Sequence, residues 1–157
     1  MRCTAILALA FCALISRPAS AGIFSFLDSA NPTFNGAHEL SVRPDSDGLY
    51  YILAEVNGAE VRFVIDTGSD DVVLTRNDAR RAGIDISQLD FSEDYDAASG
   101  SGVEADTTVQ KLAIGPLAVT NFPVTVEQEG GASLLGMTFL RRLKSVEIRD
   151  KRLYLRW

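Results

Sequence analysis

The stretch FVIDTGSDDVVL, from Phe63 to Leu74, places one carboxylate between two apolar runs. Runs of this length, rich in β-branched residues and bounded by turn formers, are typical of buried strands. The first run ends at Asp66, which begins an Asp-Thr-Gly turn. In that turn Thr67 can add a hydrogen bond, and Gly68 allows a backbone to pass close by. A charge at the edge of a core is costly unless it is used, so Asp66 is the main candidate for a functional residue.

Asp-Thr-Gly by itself is also an ordinary surface β-turn, because all three residues favour turns. The apolar runs on both sides argue against a solvated hairpin tip. Far along the chain, Leu134-Leu135-Gly136 again ends an apolar pair in glycine, and residues 137–143 have the pattern of a short helix. Together the two motifs favour a buried, functional turn at Asp66.

In these two motifs the chain resembles the retropepsin-type aspartic proteases, both the retroviral enzymes and their single-domain bacterial relatives. The motifs are VIDTGSDDVVL from Val64 and LLGMTFL from Leu134, and the resemblance covers about Leu49 to Leu155. It implies a mostly β protein, a one-lobed closed β-barrel of the acid-protease fold with one or two short helices. It also implies hydrolysis of peptide bonds by a water molecule activated at Asp66, with no metal or organic cofactor.

The resemblance assigns roles to residues around Asp66. It implies that Thr67 bonds across a dimer, that Gly68 presents its backbone to substrate, and that Ser69 occupies a position where the family accepts Ala or Ser. The implied substrate-binding residues lie beside this turn and at the tip of a long hairpin, or flap, that covers the substrate: Asp70, Asp71, Ser99, Gly100, Ser101 and Gly102. The implied structural second motif is Leu134, Leu135 and Gly136.

One position departs from the retroviral pattern. In the retroviral enzymes, the glycine of the second motif is followed by an arginine that pairs with the carboxylate at the position of Asp70. This chain has Met137 there. Asp70 is therefore expected to find another partner or to remain solvated.

The chain contains one Asp-Thr-Gly and is long enough for one lobe. A single carboxylate cannot act at once as the base that deprotonates water and as the acid that protonates the scissile carbonyl. Two adjacent carboxylates can, because their repulsion separates their proton affinities. We therefore expect a symmetric homodimer, with Asp66 of each protomer at the two-fold axis and a peptide or protein as substrate.

Residues 1–21 have the pattern of a signal peptide. Arg2 is followed by an apolar run from Ile6 to Ile15 and by a small-residue cleavage site, Ala19-Ser20-Ala21. The run is short for a membrane span, which leaves an uncleaved anchor as the alternative. We expect an exported protein, periplasmic or secreted, that begins at Gly22 and keeps no stable membrane span after cleavage.

The remaining chain divides into two parts. Residues 22–44 contain turn formers and little periodicity, which predicts a linker or flexible arm. Residues 45–157 form the predicted aspartic protease domain. Both cysteines lie in residues 1–21, so no disulfide or cysteine-based metal site is expected, and the single histidine, His38, is expected at the surface.

The net charge argues against nucleic acid as a partner. Removal of Arg2 and Arg17 with the signal peptide changes the formal charge from −6 to −8. The basic residues crowd towards the C-terminus, where a solvated face is the ordinary interpretation. An acidic protein without a broad basic surface is poorly suited to neutralise phosphates.

Local signals predict the elements around the two motifs. Asn57-Gly58 lies between two strand-like runs and predicts a tight hairpin that leads to Asp66. A short helix is expected after Leu74, capped by Thr75 or Asn77. Further strands are expected over residues 90–98, 103–114, 117–126, 145–149 and 152–155.

Two other functions stay open at the level of sequence. The chain can be a catalytically silent retropepsin-like module that binds peptides or another exported protein, although the complete Asp-Thr-Gly argues against this. It can also be an unrelated β-barrel or sandwich binding domain with an accidental Asp-Thr-Gly. In that case the chain is monomeric, and Asp66 matters only for the stability of its turn.

Overall fold

The computed structural model describes residues 32–97 and 100–157. The helices in these ranges are short, namely α1 (Arg76–Arg81), α2 (Met137–Leu140) and a 3₁₀ turn (Ile86–Gln88). The strands are β1 (Thr33–Phe34), β2 (Glu39–Val42), β3 (Tyr51–Val56), β4 (Ala59–Ile65), β5 (Val72–Thr75), β6 (Glu93–Ala97), β7 (Gly100–Ile114), β8 (Leu117–Glu127), β9 (Ser133–Leu135), β10 (Ser145–Arg149) and β11 (Arg152–Arg156). None of the helices described here combines the length and the apolar character that crossing a membrane requires.

Six strands form a closed ring in the order β3, β4, β9, β5, β8 and β7. The ring closes because β3 also pairs with β7, where Glu55 lies opposite Ala113 and Val56 lies opposite Leu112. Strand β6 pairs with β7 and lies outside the ring. The expectation of a mostly β protein with one or two short helices is confirmed.

Asn57 and Gly58 form the turn between β3 and β4, with φ angles of 50° and 89°. A two-residue hairpin turn needs this left-handed backbone, and Asn and Gly adopt it at low cost. The alternation along β4 then buries Val61, Phe63 and Ile65 on one face. The predicted hairpin is confirmed, and it carries the chain along the core to Asp66.

Large apolar side chains form one buried core. The fully buried side chains of this core include Leu40, Ile52, Phe63, Leu74, Leu112, Ile114, Phe122, Leu135, Phe139 and Leu155. Each such side chain stabilises the fold by about 1.5–3 kcal/mol when it leaves water. Phe122 of β8 and Phe139 of α2 meet edge to face with ring centroids 6.0 Å apart, which holds α2 against the ring.

A smaller sheet joins both ends of the described chain in the order β1, β2, β11 and β10. Leu40 and Val42 of β2 are fully buried and lie opposite Leu155 and Leu153 of β11. Residues 39–42, inside the range predicted as a linker or flexible arm, therefore belong to the packed domain. Four residues are too few to show a periodicity, so β2 has no clear signal in the sequence. The predicted signal peptide and the first part of the arm lie outside the described residues.

The terminal hairpin of β10 and β11 forms at the predicted positions. Its turn consists of Asp150 and Lys151, with φ angles of 49° and 57°. Strand β10 is the outer strand of the smaller sheet, and Ile148 on this strand is 64% exposed. An apolar side chain on an open strand edge marks a place where another strand can pair.

A polar network ties helix α1 to β9. Thr75 caps the helix, as expected, by accepting a hydrogen bond from the Asp78 N–H at 3.2 Å. The buried Ser133 hydroxyl donates to the Asp78 carboxylate at 2.6 Å, and Arg81 also binds that carboxylate. Burial raises the pKa of Asp78, but the hydrogen bonds from Ser133 and Arg81 outweigh it and hold the pKa below its usual value. The ionised carboxylate therefore anchors α1 to the strand of the second motif.

Candidate active site

Asp66 is the first residue after β4, and it is half-buried. Its N–H donates to the Leu135 carbonyl at 3.2 Å, which ties it to the second motif. Its carboxylate accepts a hydrogen bond from the Gly68 N–H at 2.8 Å. A Cβ at Gly68 would stand 3.2 Å from the same carboxylate oxygen and would crowd it. The backbone N–H of Gly68 thus orients the carboxylate. A hydrogen bond of this kind is charge-assisted when the carboxylate is ionised.

Strand β9 lies between the two apolar runs that flank Asp66. It runs parallel to β4, with Leu135 opposite Ile65, and antiparallel to β5, with Leu135 opposite Val72. The second motif is therefore inserted between the two arms of the first. This insertion explains why two motifs that are far apart in the chain act as one structural unit.

Gly136 follows β9 at a point where two backbone segments come close together. A Cβ at this position would stand 2.1 Å from the Asp71 carbonyl oxygen and 2.7 Å from the Ser69 carbonyl oxygen. Neither contact is sterically possible, and both partners are backbone atoms that cannot rotate away. The glycine of the second motif is thus required by the turn that follows Asp66.

The first residues of α2 bind the polar groups of this turn. The Met137 N–H donates to the Ser69 carbonyl at 2.8 Å. Thr138 binds the next two residues, with its N–H 2.7 Å from the Asp70 carbonyl and its hydroxyl 2.9 Å from the Asp71 carboxylate. Backbone groups that helix and sheet leave unpaired are thereby satisfied. Asp71 is held beside the turn, where the resemblance implies contact with substrate.

Asp70 has a partner despite the methionine at position 137. Its carboxylate pairs with Arg141, one helical turn further on, at 3.4 Å. The Asp70 side chain is 86% exposed and that of Arg141 is 66% exposed. An ion pair in such an open setting contributes about 0–1 kcal/mol, so this pair supports the turn only weakly.

The outer side of the Asp-Thr-Gly turn faces solvent in the single chain. Thr67 and Gly68 are both exposed. Within residues 32–97 and 100–157, the Thr67 hydroxyl has no hydrogen-bond partner. The Ser69 hydroxyl instead donates to the Asp71 carbonyl at 3.0 Å. Thr67 is therefore free to bind a group outside its own chain.

β6 and the first residues of β7 form the long hairpin. The sequence predicted its glycine-rich tip at Ser99 to Gly102, but in the structure β7 already begins at Gly100. Gly100, Ser101 and Gly102 are paired residues of β7, and Ser99 lies outside the described residues. Gly102 lies opposite Tyr95, whose hydroxyl oxygen is 2.8 Å from the place that a Cβ would occupy. The aromatic ring of Tyr95 therefore needs a glycine at position 102. This need becomes visible only once the register that pairs Tyr95 with Gly102 is known.

A hollow of about 650 Å³ lies between this hairpin and the segment that follows β8. On the hairpin side it is lined by residues that include Tyr95 and Gly102, and on the other side by Gln128 and Glu129. This volume lies in the range of small-ligand and peptide side-chain sites. Tyr95, Gln128 and Glu129 belong to no motif in the sequence, because only the pairing of strands brings them together.

Acidic side chains gather where the hairpin joins the ring. Burial, followed by repulsion from Asp71 and other carboxylates, raises the pKa of Glu104. Burial also raises the pKa of Glu127. Such groups keep their protons to a higher pH than free carboxylates do. Among the residues that the structure describes, no group of three His, Cys, Asp or Glu side chains is arranged to hold a metal ion.

The chain matches the protein family described as "gag-polyprotein putative aspartyl protease" over residues 52–142, which include both motifs. It is also similar to a solved retropepsin-like aspartic protease from Rickettsia conorii. The two are 33% identical with a TM-score of 0.69, over 76% of this chain and 100% of that one. The chain therefore belongs to the retropepsin-like aspartic protease family. The fold implied by the two motifs is confirmed, and an unrelated barrel or sandwich domain is excluded.

Other relatives extend this picture. The protease of EIAV, solved in complex with the inhibitor HBY-793, shares the fold with a TM-score of 0.53 at 17% identity, over 64% of this chain and 93% of that one. Two curated relatives are "Uncharacterized protein in cobV 5'region" from Sinorhizobium sp, 32% identical over 77% of this chain, and "Uncharacterized protein RP867" from Rickettsia prowazekii (strain Madrid E), 33% identical over 70%. The matched regions span 53% and 48% of these two proteins, so this chain covers about half the length of each.

Replacement of Gly136 by alanine should lower the free energy of unfolding by about 2 kcal/mol or more, since the new methyl group meets immovable backbone. Urea unfolding followed by circular dichroism measures this loss as a lower midpoint at an unchanged slope. Gly131→Ala is the matched control, because a Cβ at Gly131 has no neighbour within 4 Å. Equal effects of the two substitutions would contradict the close approach at Gly136.

Proposed function

We propose that this protein is an aspartic endopeptidase in which two copies of the chain each supply Asp66 to one active site. The observation that carries this proposal is the Asp66 carboxylate, held at the end of a buried strand by the Gly68 N–H at 2.8 Å and tied to the second motif through Leu135. Membership of the retropepsin-like family supports the same assignment. The reaction is hydrolysis of a peptide bond by an activated water molecule.

The chemistry needs two carboxylates. One must be ionised to take a proton from water, and the other must be protonated to donate to the scissile carbonyl. A pair that shares a site meets both needs, because repulsion prevents both groups from being ionised together. Each chain has one Asp-Thr-Gly, so the second carboxylate comes from a second copy. The exposed Thr67, unpartnered within the described chain, is available to bond across that dimer.

The surface available for this dimer includes the outer edge of the smaller sheet. Leu153 and Leu155 are buried in the chain's own core, so their side chains do not serve as contacts between copies. Strand β10 is an open edge with Ile148 exposed beside it. We propose that β10 contributes to the interface, where strand pairing satisfies its free backbone groups and buries Ile148.

The proposed substrate is an extended peptide or protein segment. It binds between the Asp66 turn and the β6–β7 hairpin, where backbone hydrogen bonds hold it. Asp70 and Asp71 follow the turn, and both contact the substrate. The hairpin excludes water from the reacting bond when it closes.

Export is part of the proposal. The pattern of residues 1–21 supports a signal peptide, and we place the mature protein in the periplasm or outside the cell. N-terminal sequencing of protein recovered from the periplasm or medium should then begin at Gly22. Recovery of a chain that begins at Met1 and sediments with membranes would support the anchored alternative instead.

Asp66→Asn should abolish peptidase activity while leaving a folded protein. The amide keeps the shape of the carboxylate but removes the base and the shared proton, so we expect a loss of at least about 10²–10⁴-fold. The measurement is hydrolysis of a mixed peptide library at acidic and neutral pH, with and without pepstatin. Asp150→Asn, in the exposed turn between β10 and β11, is the control and should retain activity.

Two results of that assay would contradict the proposal. Activity of Asp66→Asn close to that of the unmodified protein would place the chemistry elsewhere. Absence of hydrolysis in the unmodified protein, with tight binding of peptides, would favour the catalytically silent peptide-binding module.

Activity should depend on dimer formation. Specific activity is expected to fall on dilution as dimers dissociate, in step with the dimer fraction from sedimentation. Ile148→Lys should shift both curves to higher protein concentration, because it places a charge at the proposed interface. Thr108→Lys is the matched control, because Thr108 is an exposed residue of β7, one of the six strands of the ring. A monomer that hydrolyses peptides at full rate at every concentration would contradict the shared carboxylate pair.

A further inference from the structure

Three glutamates form one row across three neighbouring strands. Glu104 of β7 lies opposite Glu93 of β6 on one side and opposite Glu127 of β8 on the other. We call these three residues the glutamate row. Strand β7 pairs with β8 from Glu104 to Ile114 and with β6 from Gly100 to Glu104. The row therefore marks the point where the β6–β7 hairpin leaves the ring.

One backbone hydrogen bond continues beyond the row, from the Gln128 N–H to the Val103 carbonyl at 3.0 Å. Past that bond, the part of β7 that the structure describes pairs with β6. The hairpin is thus attached to β8 at its base, and the row lies across that attachment. Any force between Glu104 and its two neighbours therefore acts at the base of the hairpin.

That force is repulsive when the row is ionised. Like charges directly opposite each other on neighbouring strands destabilise their pairing. Within the described residues, no lysine or arginine forms an ion pair with any member of the row. The other charged or titratable groups around it are Asp71, Asp106, Tyr95 and Glu129, with Arg76 and Arg80 lining a neighbouring hollow beside Glu129.

The titration of the row follows from this setting. Burial is the main cause that raises the pKa of Glu104, followed by Asp71, Glu127, Asp106 and Glu93. Burial also raises the pKa of Glu127. The pKa of Tyr95 is raised by burial and by carboxylates that include Glu127 and Glu104. Glu104 and Glu127 thus keep their protons to a higher pH than free glutamates do.

A second pair of opposed glutamates provides a contrast. Glu55 of β3 lies directly opposite Glu60 of β4, so the two have the same cross-strand relation as Glu104 and Glu127. Both are exposed, and Lys111 Nζ lies 3.1 Å from the Glu55 carboxylate. This pair is solvated and has a cation beside Glu55, whereas the glutamate row is half-buried at Glu104 and Glu127 and forms no ion pair within the described residues.

We propose that the glutamate row is a proton-operated hinge that sets how firmly the β6–β7 hairpin is held to β8. With the row protonated, repulsion is absent and a carboxylic acid can donate a hydrogen bond to its neighbour, so the hairpin is held. With the row ionised, repulsion across β6, β7 and β8 loosens the base of the hairpin. We also infer that this hinge controls access to Asp66, and that part of the inference rests on the proposed function.

The direction of the pH effect follows from the raised pKa values. The ordinary pKa of a glutamate is 4.5, and both Glu104 and Glu127 lie above it in the folded chain. Their contribution to holding the hairpin is fully present below that ordinary value and is lost as the pH rises through the folded values. The hairpin should therefore be better protected at pH 4 than at pH 7.5.

Amide hydrogen exchange tests the hinge without substrate. Protection factors, which remove the intrinsic pH dependence of exchange, are measured for the amides of β6, residues 100–104 and Gln128 at pH 4 and pH 7.5. Protection in the unmodified protein should fall by roughly two- to five-fold at the higher pH, the range that opposed like charges produce across strands. Amides of the β3–β4 hairpin serve as the internal reference and should not change.

Glu104→Gln/Glu127→Gln should keep the low-pH protection at pH 7.5, because it removes the titrating groups at nearly constant shape. Glu127→Gln alone should remove about half of the pH response, and it guards against failure of the double variant to fold. Glu55→Gln/Glu60→Gln, the matched control, should respond to pH as the unmodified protein does. Equal protection at both pH values, or a full pH response in the folded double variant, would overturn the hinge.

Asp66→Asn separates the hinge from the proposed function. Its hairpin should show the same pH response, since Asp66 is not a member of the row. Loss of that response in Asp66→Asn would overturn the hinge, because the active-site carboxylate would then be its source. If the unmodified protein shows the expected pH response of the hairpin but no peptidase activity, that result counts against the proposed function and not against the hinge.

Discussion

The structure depends on the close approach of Gly136 to the backbone carbonyl groups of Ser69 and Asp71. With no side chain at this point, the start of α2 comes near enough for its N–H groups to bind the turn that follows Asp66. Strand β9 can then lie between β4 and β5, which places the second motif inside the first. The position of the Asp66 carboxylate is a consequence of this insertion and not of the turn alone.

Apolar burial and polar contacts contribute differently to this arrangement. The aromatic and aliphatic core, with Phe63, Phe122 and Phe139 at its centre, supplies most of the stabilisation but little directional information. Direction comes from a few hydrogen bonds whose loss would leave buried groups unsatisfied, such as that between Ser133 and Asp78. The exposed pair of Asp70 and Arg141 adds little, because solvent screens it.

At the base of the β6–β7 hairpin, like charges lie opposite each other on neighbouring strands, and none of the described lysines or arginines forms an ion pair with them. Glu104 faces a glutamate on each side, while the comparable pair of Glu55 and Glu60 is accompanied by Lys111. Local inconsistencies of this kind cost stability, and natural proteins carry them mainly at functional sites. Repulsion at an attachment point lowers the cost of local opening, and elements that open are drawn from the least stable parts of a fold.

Features that local chemistry controls could be predicted from the amino-acid sequence alone. Asn57-Gly58 predicted a hairpin, Thr75 or Asn77 predicted the start of a helix, and the motifs around Asp66 and Gly136 indicated the family and its fold, because each of these signals lies within a few consecutive residues. Tertiary structure decided the rest. The burial of β2, the Arg141 partner of Asp70, the Tyr95 ring over Gly102 and the glutamate row all depend on which residues face each other across strands. Register is set by the packing of the whole ring, so residues far apart in the chain become neighbours without any local signal.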